Sequence, residues 1–572
     1  MWTALGFMYR LESNSIYTVN SIDAINKQIM IEQITSFSSI GLIPQVDFDS
    51  TDVLLIIGAN PAVSHGHLAG MPYPRKRLRD IKKRGGKVIV ADPRLTETAK
   101  VASISIRPRL GTDYAWLGYV IRELLLDENN MEGIDRRYLT DHTHGVDELR
   151  QVVSYFDEIA TTRITGLSSE SLHELVSVIS DTNNLSGITG TGVSFSDAGI
   201  VSEWFLWVLL AIKGSLDMPG GVWFNPGFTT NVSDLTPVIA TDSAWNKRGL
   251  ARPDLPARES ESAVSGLADE IQAKNIKVLI CVGGNPLTAF PDNNKTLMAF
   301  SELEAFVVLD THTNELTNIA DYALPVSGQL ERIDSSIYTQ NSSPVVAIQY
   351  TDRIVEAPDQ VKQVFEVFSL LGEELGLDVT KLQKETKDIS ALDVLKTIKG
   401  AKELFSDSNE LIDNGFVTKS EIPFGWVVNG VLPGNKWSLY SDTLGAELAR
   451  ILEKANSNTG LLLVSMREDS HLNSQFMFNQ HEPRKNLAFI NSFSAGLYDL
   501  VDGDHIELES KINSIRVLVC VTEEVMDNTL CLSHGFANFG NVSNLTSSDD
   551  VNPLSGMVSQ TALPIKIKKI SH

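Results

Sequence analysis

The sequence predicts an α/β protein, and the main reason is a segment that occurs twice. Residues 53–61 (VLLIIGANP) and residues 278–286 (VLICVGGNP) share one pattern, an apolar run that ends in Gly, a small residue, Asn and Pro. Such a run indicates a buried parallel strand that closes in a tight turn. A second observation is the change from about residue 458 to short strands and turns, which predicts a small closed β-barrel.

The surroundings of the two copies also match. A helix-like stretch and a strand (KVIVAD) follow the first copy, and NKTLMAFSELE and a strand (AFVVLD) follow the second. When Asp92 is set on Asp310 without gaps, Glu97 falls on Glu315. We therefore predict two similar units, each made of strand, turn, helix, strand and short helix. They are called the first unit (residues 53–113) and the second unit (residues 278–330).

The repeat allows two interpretations. Ligands of open α/β sheets bind at the C-terminal ends of strands, where both turns and both aspartates are predicted to lie. Glycine in these turns permits a tight bend or the close approach of a ligand. The two units are then half-sites for two similar ligand halves. The alternative is an ancient duplication without a shared ligand.

A third glycine-containing turn follows the strand LSGITG. Helices and strands alternate from about residue 20 to 220, and this strand leads through GTGVSFSDAG into a strongly apolar helix. Gly190, Gly192 and Ser194 are candidates for ligand contact, and a simple N-cap turn is the alternative. Residues 355–435 are predicted to form a connecting region.

The composition restricts the class of protein. With 572 residues, the chain is long enough for three or four domains. Its net charge of −24 argues against nucleic acid or an anionic membrane as a partner. An anionic cofactor can still bind through backbone N–H groups at turns and helix N-termini. No apolar run approaches about 20 residues, so no membrane segment is predicted.

The chain has three cysteines, Cys281, Cys520 and Cys531, with no CxxC or other cluster-binding spacing. We therefore expect no iron–sulfur cluster in this chain and a reducing compartment. The first residues show no signal peptide, and the expected location is the cytoplasm. They read as the end of a helix and a strand (SIYTV), so the chain is expected to begin within a domain.

Several motifs in order resemble one known family. They are IIGANPAVSHGHLAG, KRGGKVIVADPRLTETAKVA, RPRLGTD, GSLDMPGGVWFNPG, the GGNP segment, ADYALP, SMREDSHLNSQF and the C-terminal GLYDLVDGDHIELES with LSHGFANFGN. Together they are similar to the large catalytic subunits of molybdopterin oxidoreductases of the dimethyl-sulfoxide-reductase type. The resemblance covers nearly the whole chain.

The resemblance implies a fold of two Rossmann-like domains related by pseudo-twofold symmetry, followed by a C-terminal six-stranded β-barrel of the double-psi type. The expected domains are a remnant of the second Rossmann-like domain (1–19), the first Rossmann-like domain (20–220), the second with its connector (221–435), and the barrel (436–572).

The resemblance also implies the cofactor, two molybdopterin guanine dinucleotides with molybdenum or tungsten. Each G-x-N-P turn would face a pyrophosphate, and Asp92 and Asp310 would each lie beside a guanosine. The implied first half-site is Gly58, Asn60, Pro61, His65, Asp92, Arg94, Gly111 and Asp113, with Gly192 and Ser194 as further candidates. The implied second half-site is Gly283, Asn285, Pro286, Asp310 and Thr311. The barrel is expected to add Arg467, His471, Asn473, Ser474, His534, Gly535, Asn538 and Asn544.

The sequence departs from the family pattern in two ways. Relatives usually begin with a cysteine-rich domain that holds a 4Fe-4S cluster, followed by the first half of the domain that carries GGNP, and neither occurs in this sequence. The metal's protein ligand lies at the start of the domain that carries GANP, here TVNSIDAINK, which offers Ser21 or Asp23. Asp23 is equally an ordinary acid near a helix N-terminus, and a site without a protein ligand is a third alternative.

The function implied by the resemblance is two-electron oxidation or reduction of a small substrate by a molybdenum or tungsten enzyme. An iron–sulfur partner or N-terminal domain would carry the electrons away. No catalytic residue is assigned, although His65, His67 and His471 are candidates for handling protons. The alternatives are a non-catalytic structural subunit, like the large peripheral-arm subunit of respiratory complex I, and a split gene product that binds nothing alone.

Overall fold

The structure is a computed structural model, and it describes residues 2–36, 42–126, 133–235, 250–258, 261–406, 409–454, 460–469, 485–536 and 540–570. Its N-terminal part alternates helices and strands. The strands are β1 (Pro44–Val46), β2 (Val53–Ile57), β3 (Lys87–Ala91), β4 (Ile104–Ile106), β5 (Thr143–His144), β6 (Leu185–Thr189) and β7 (Val222–Phe224). The helices are α1 (Trp2–Arg10), α2 (Asn20–Asp23), α3 (Ile25–Thr35), α4 (Pro61–Ser64), α5 (Pro74–Lys83), α6 (Asp113–Leu126), α7 (Arg136–His142), α8 (Val146–Val153), α9 (Glu158–Thr165), α10 (Ser169–Ser180), α11 (Thr191–Ser194) and α12 (Gly199–Ile212).

The first unit lies in a parallel sheet of order β4-β3-β2-β6. Strand β2 is buried at all five positions because helices cover both faces of the sheet. Helix α12 is apolar except for Ser202 and Glu203, and all 14 of its residues are buried, so it forms the centre of the largest core. The predicted α/β class is confirmed.

The middle of the chain contains the second unit and the connecting region. Its strands are β8 (Ala257–Arg258), β9 (Glu261–Ser262), β10 (Val278–Val282), β11 (Ala305–Asp310), β12 (Tyr322–Pro325), β13 (Asp334–Ser335), β14 (Ala347–Thr351), β15 (Phe416–Thr418) and β16 (Trp437–Ser438). Its helices are α13 (Leu267–Gln272), α14 (Pro286–Ala289), α15 (Asn293–Phe300), α16 (Glu315–Ile319), α17 (Val364–Glu374), α18 (Ala391–Lys396), α19 (Lys402–Ser406), α20 (Asn409–Asn414), α21 (Trp426–Gly430) and α22 (Asp442–Lys454).

The second unit repeats the strand pairing of the first. Strands β10, β11 and β12 are parallel neighbours, as β2, β3 and β4 are. Ile57 pairs with Ala91 and Val282 pairs with Leu309, so Asp92 and Asp310 each follow the last paired residue. The ungapped alignment of the two aspartates therefore holds in the strand register. The pseudo-twofold relation between the two units stays a prediction.

The two units differ at the outer side of their first strand. Strand β2 lies between β3 and β6, whereas β10 pairs with β11 alone among the described residues. As a consequence Val278 is 55% exposed, while its counterpart Val53 is 4% exposed. On one face of this smaller sheet, Phe7 of α1 packs with Leu309 and with Phe368 of α17.

The C-terminal part is one curled sheet. Its strands are β17 (Leu462–Met466), β18 (Leu487–Ile490), β19 (His505–Glu509), β20 (Ser514–Val521), β21 (Thr529–Ser533), β22 (Thr561–Pro564) and β23 (Lys566–Lys569), with one helix, α23 (Ser492–Leu497). The order is β22-β17-β21-β18-β20-β19-β23. Only Ile565 separates β22 from β23, although these strands pair at opposite edges of the sheet.

This short connection requires the two sheet edges to approach each other, because neighbouring Cα atoms are about 3.8 Å apart. The prediction of a C-terminal β-structure is confirmed, and the predicted number of six strands is corrected to seven. The physical reason is that the last stretch of chain is divided at Ile565, so that its two halves pair with different neighbours.

None of the described helices combines the length and the apolar character that crossing a bilayer requires.

A buried carboxyl group, Asp217, joins the first α/β region to the connecting region. Its Oδ2 accepts hydrogen bonds from the backbone N–H groups of Val427 and Val428 at 2.8 and 3.0 Å, at the start of α21. Burial raises the pKa of Asp217 to about 7, although these backbone hydrogen bonds oppose the shift. The group thus binds its proton more tightly in the folded than in the unfolded chain.

We expect Asp217 to make the protein less stable as pH rises from about 4 to about 7, because the folded state must then give up a proton that it favours. Asp217→Asn keeps an acceptor oxygen and removes this titration. Urea unfolding should therefore show the variant more stable than the wild type at pH 8, by as much as about 4 kcal/mol, and nearly equal to it at pH 4. Parallel pH profiles of the two proteins would contradict this expectation.

Candidate functional site

The candidate site is a cavity between the first unit, the turn after β6 and the C-terminal sheet, here called the first-unit cavity. Its lining residues from the N-terminal part are Asp23, Gly58, Ala59, Asn60, Val63, Ser64, Gly66, His67, Ala91, Asp92, Pro93, Arg94, Pro108, Arg109, Leu110, Gly111, Asp113, Gly190, Thr191, Gly192 and Phe195. Those from the C-terminal sheet are Val464, Ser465, Met466, Arg467, His534 and Thr561. The cavity therefore lies at the C-terminal ends of β2, β3 and β6, as expected for an open α/β sheet.

The floor of the cavity is a contact between two glycine turns. Gly58 has φ +55°, and a Cβ there would lie 2.8 Å from the backbone N of Val193 and 3.0 Å from the carbonyl carbon of Gly192. The Gly192 N–H donates to the Gly58 carbonyl at 3.0 Å. Only glycines allow the turns after β2 and β6 to approach so closely, which leaves backbone groups at the cavity wall.

The Asn of each G-x-N-P turn donates to the aligned glutamate of its own unit. Asn60 Nδ2 donates to Glu97 Oε2 at 2.7 Å, and Asn285 Nδ2 donates to Glu315 Oε2 at 2.9 Å. The glycine N–H groups also correspond, since Gly58 donates to Ala91 and Gly283 to Leu309. The two turns therefore share these contacts, and Glu97 and Glu315 correspond as the alignment predicted, although Gly284 has a left-handed φ of +70° and Ala59 does not.

The surroundings of the second turn are different. A Cβ on Gly283, which has φ +65°, would meet no atom within 4 Å among the described residues. Asp310 is partly exposed and accepts from the Thr311 N–H at 2.6 Å and from Asn314 Nδ2 at 2.9 Å. Pro286 begins α14. The five predicted residues of the second half-site thus lie together, but none of them lines the first-unit cavity.

An acid and a base, Asp92 and Arg94, follow β3 directly at the cavity wall. Asp92 is 8% exposed, and its Oδ1 accepts from the Arg94 N–H at 2.9 Å. Burial raises the pKa of Asp92, and the charge of Arg94 opposes this shift. Burial also raises the pKa of Asp113 to about 7. Both carboxyl groups line the cavity, so a ligand that donates hydrogen bonds or carries positive charge would favour their ionised forms.

The C-terminal sheet supplies the opposite wall. Met526 N–H donates to the Pro93 carbonyl at 3.1 Å, which joins the sheet to the first unit beside Arg94. Arg467 and His534 both line the cavity, and burial, reinforced by the charge of Arg467, lowers the pKa of His534 to about 4. His534 is therefore neutral at neutral pH. It can act in hydrogen bonding, while Arg467 carries the charge.

The two candidate metal ligands face different ways. Asp23 lines the first-unit cavity, and its Oδ2 lies 3.9 Å from Nε2 of His67. Burial raises the pKa of Asp23 to about 6, and burial together with the charge of Lys27 lowers the pKa of His67 to about 3. Ser21 is directed away from the cavity, because its Oγ accepts from the Val264 N–H at 3.1 Å.

A buried ion pair supports the turn after β6 from below. Lys27 on α3 and Glu203 on α12 are 3.1 Å apart, with side-chain exposures of 8% and 3%. Lys27 Nζ also donates to the Thr189 carbonyl at 3.2 Å, at the end of β6. Asn26 Nδ2 donates to the Ser194 carbonyl at 2.9 Å. Helix α3 thus holds both ends of the glycine turn, a role that its sequence did not reveal.

The predicted cofactor residues divide into three groups. Those that line the first-unit cavity are Gly58, Asn60, Asp92, Arg94, Gly111, Asp113, Gly192, Arg467 and His534. Those that lie outside its lining are Pro61, His65, Ser194, Gly283, Asn285, Pro286, Asp310, Thr311, Gly535 and Asn544. His471, Asn473, Ser474 and Asn538 lie outside the described residues. Sequence reasoning missed Arg109, Thr191, Ser465 and Thr561, of which the first three stand in quoted segments and Thr561 does not.

Several buried polar atoms around the cavity have no hydrogen-bond partner among the described residues. They are Nδ1 and Nε2 of His67, Oγ of Ser194, Oγ of Ser465, Nε of Arg467 and Oγ1 of Thr561. Unsatisfied buried groups are uncommon and unfavourable, so a cluster of them indicates a polar ligand. Arginines, backbone amides and these hydroxyls form a donor set that suits an anionic group such as a pyrophosphate.

Comparison with known proteins agrees with this geometry. The molybdopterin oxidoreductase family matches residues 4–374, and the molybdopterin dinucleotide-binding domain matches residues 461–564. The chain belongs to the molybdopterin oxidoreductase family. The second match covers the curled C-terminal sheet, and together the two matches indicate a molybdopterin-type cofactor.

The relatives are similar at low identity. One is the F420-dependent formate dehydrogenase 1 subunit alpha of Methanococcus maripaludis, 25% identical over 58% of this chain and 48% of the relative. Another is the F420-dependent formate dehydrogenase 2 subunit alpha of the same organism, 24% identical over 92% of this chain and 77% of the relative. The chain spans about half the length of the first curated relatives that it matches.

The fold is also that of a solved enzyme. Acetylene hydratase from Pelobacter acetylenicus aligns with 100% of this chain and 84% of its own, with a TM-score of 0.80 and 18% sequence identity. At this identity the likeness concerns the fold.

Proposed function

We propose that this chain binds molybdopterin guanine dinucleotide and forms the catalytic part of a molybdenum or tungsten oxidoreductase. The observation that carries the proposal is the first-unit cavity, where two glycine turns, three arginines and a group of unpartnered polar atoms meet at the ends of parallel strands. The family membership supports the same class of cofactor.

The roles of the residues in this first half-site follow from their chemistry. The backbone at Gly58 and Gly192 would lie against a pyrophosphate, because no side chain stands in the way. Arg94, Arg109 and Arg467 would balance its charge. Asp92 would accept hydrogen bonds from the guanosine, as a carboxylate is an acceptor for ribose hydroxyls and guanine N–H groups.

A second dinucleotide would bind at the second unit. The support is what the two turns share, with Asn285 held by Glu315 as Asn60 is by Glu97 and Asp310 in the same register as Asp92. The segment between β21 and β22 also contacts this unit, since Asn541 Nδ2 donates to the Leu287 carbonyl at 2.8 Å. Open space beside Gly283 leaves room for a ligand there.

When bound, the cofactor supplies the two-electron chemistry on a small substrate, and the protein supplies binding and orientation. Asp23 is the favoured metal ligand, because it lines the cavity while Ser21 is engaged by Val264. His67 is neutral near pH 7 and offers a hydrogen-bonding nitrogen at the same wall. The subunit name of the relatives supports a partner that exchanges electrons, and an iron–sulfur protein or domain would fill that role.

The direct test is analysis of the purified protein for molybdenum, tungsten, pterin and released guanine nucleotide. We expect about two guanine nucleotides per metal if both half-sites are filled. The proposal would be contradicted if the protein, expressed in a host that makes the cofactor, were purified without metal, pterin or guanine nucleotide.

We expect Asp92→Asn to lower cofactor affinity about tenfold to a hundredfold, because it removes charge-assisted hydrogen bonds of about 1.5–3 kcal/mol. Asparagine still accepts from the Arg94 N–H, so the melting temperature of the apoprotein should change little. The measurement is guanine nucleotide retained per chain after dialysis. Asp310→Asn is the matched variant at the second half-site, and it should lose only the guanine nucleotide bound there.

The competing role for both aspartates is local capping of the turn that follows each strand, worth about 0.5–2 kcal/mol of stability. Unchanged nucleotide content with a lower melting temperature in both variants would establish that role and refute the guanosine contact.

A further inference from the structure

Helix α5 gives this acidic protein one strongly basic surface. Residues 74–87 contain eight lysines and arginines and a single acid, Asp80, in a chain whose net charge is −24. The helix buries Leu78 and Ile81 against β3, so its basic side chains cover the outer face. Surfaces of soluble proteins usually intersperse both signs, and a solvated face therefore does not explain this separation.

The charges of this surface are largely uncompensated. Among the described residues, Asp80 is the acid that pairs with it, at 2.6 Å from Lys76 and 4.0 Å from Lys83, which are 71% and 78% exposed. The other fixed contacts are to neutral carbonyls, as when Arg84 donates to Phe48 and Thr51. Such contacts orient the cations without neutralising them.

Exposed apolar side chains lie at one end of the basic helix. Tyr73, which precedes α5, is 77% exposed, and Leu68 in the same loop is 38% exposed. Tyrosine and arginine are the residues that protein–protein interfaces favour at their centres. The loop that carries them begins at the cavity wall, because Gly66 and His67 line the first-unit cavity.

This connection keeps the basic surface near the candidate site. Tyr73 comes six positions after His67, a stretch that spans at most about 20 Å when fully extended. The start of α5 therefore lies within about 20 Å of the cavity wall at His67.

We propose that α5 and Tyr73 form the docking surface for a small acidic electron-carrier protein, an inference that rests on the proposed function. The positive charge of α5 favours an acidic partner. At physiological ionic strength, charges more than about 8 Å apart are largely screened, so the local positive charge outweighs the negative charge of the rest of the protein. Size selects it too. The helix is about 15 Å long, so a nucleic acid or membrane would extend onto the acidic remainder of the surface.

The test compares two triple variants with the same change of net charge. Arg75→Glu, Arg79→Glu and Lys83→Glu reverse three cations on α5. Lys381→Glu, Lys384→Glu and Lys399→Glu reverse three exposed lysines of the connecting region, outside α5. Binding of the full-length chain to a purified acidic [2Fe–2S] ferredoxin and to a flavodoxin is measured at 20 and 200 mM salt.

We expect the wild type and the connector variant to bind at least one carrier with equal affinity, and the α5 variant to bind at least tenfold more weakly at 20 mM salt. Affinity of the wild type should fall at 200 mM salt. Equal binding by the two variants, or no binding of either carrier to the wild type at 20 mM salt, would overturn the proposal. Tighter binding of duplex DNA or anionic vesicles through α5 would overturn it as well.

Metal and nucleotide content are measured on the same three preparations. If the α5 variant loses binding but retains its cofactor, the effect is on the docking surface alone. If the wild type itself contains no cofactor, the proposed function is wrong. Circular dichroism melting of each variant shows whether the helix has kept its fold.

Discussion

Replacing Lys27 with methionine is expected to reduce the free energy of unfolding by about 3–5 kcal/mol, because it leaves the buried Glu203 carboxylate without its cation. The loss should exceed that of an ordinary surface substitution, since both side chains are almost completely buried. Equilibrium unfolding in urea at pH 7 measures it. A change below about 1 kcal/mol would show that the fold does not depend on this ion pair.

The control is the double substitution Lys27→Met with Glu203→Leu. Replacing both members of a buried ion pair by apolar residues is often nearly neutral, so much of the lost stability should return. The double variant should still bind cofactor less well than the wild type. The reason is that Lys27 holds the Thr189 carbonyl at 3.2 Å, at the base of the turn that carries Gly190 and Gly192.

The second large effect is expected at Gly58, where the repeat provides its own control. Gly58→Ala must accept a left-handed backbone, at about 1–2 kcal/mol, and a Cβ only 2.8 Å from the backbone of Val193, at about 1–3 kcal/mol more. Gly283→Ala has the same backbone strain and open space around the new methyl group. We expect losses of about 2–5 kcal/mol for the first substitution and about 1–2 kcal/mol for the second.

Thermal and urea unfolding of the two variants test this difference. Equal losses would mean that a neighbour also packs against Gly283, in the way that the turn after β6 packs against Gly58. Guanine nucleotide content gives an independent reading, since displacement of the glycine turns should empty the first half-site in Gly58→Ala and leave it filled in Gly283→Ala.

Local pattern was enough to predict the repeated unit. Apolar runs, the G-x-N-P turn and the spacing to Asp92 and Asp310 act within about forty residues of chain, so they specify strand, turn and helix directly. The alignment also predicted the equivalence of Glu97 and Glu315, which the hydrogen bonds from Asn60 and Asn285 confirm. The family was recognisable for the same reason, because its motifs are short and lie in a set order.

The sequence could not predict which side chains would face the cavity and which would be buried against a neighbouring segment. Ser21 and Asp23 are two positions apart, and only the packing of Val264 against Ser21 leaves Asp23 at the cavity. The buried pair of Lys27 and Glu203 joins residues 176 positions apart, and its burial depends on how α3 packs against α12.

By itself, then, the sequence determined the α/β class, the duplicated units and the family, since these depend on short-range periodicity and motif order. The tertiary structure alone decided that, among the described residues, a neighbouring glycine turn packs against Gly58 and none against Gly283, and that strand β17 and its neighbours line the cavity beside the first turn. The physical reason is that the two turns share the left-handed glycine and the Asn–Glu hydrogen bond but have different long-range neighbours. Strand β2 has β6 beside it, and β10 has no such partner among the described residues.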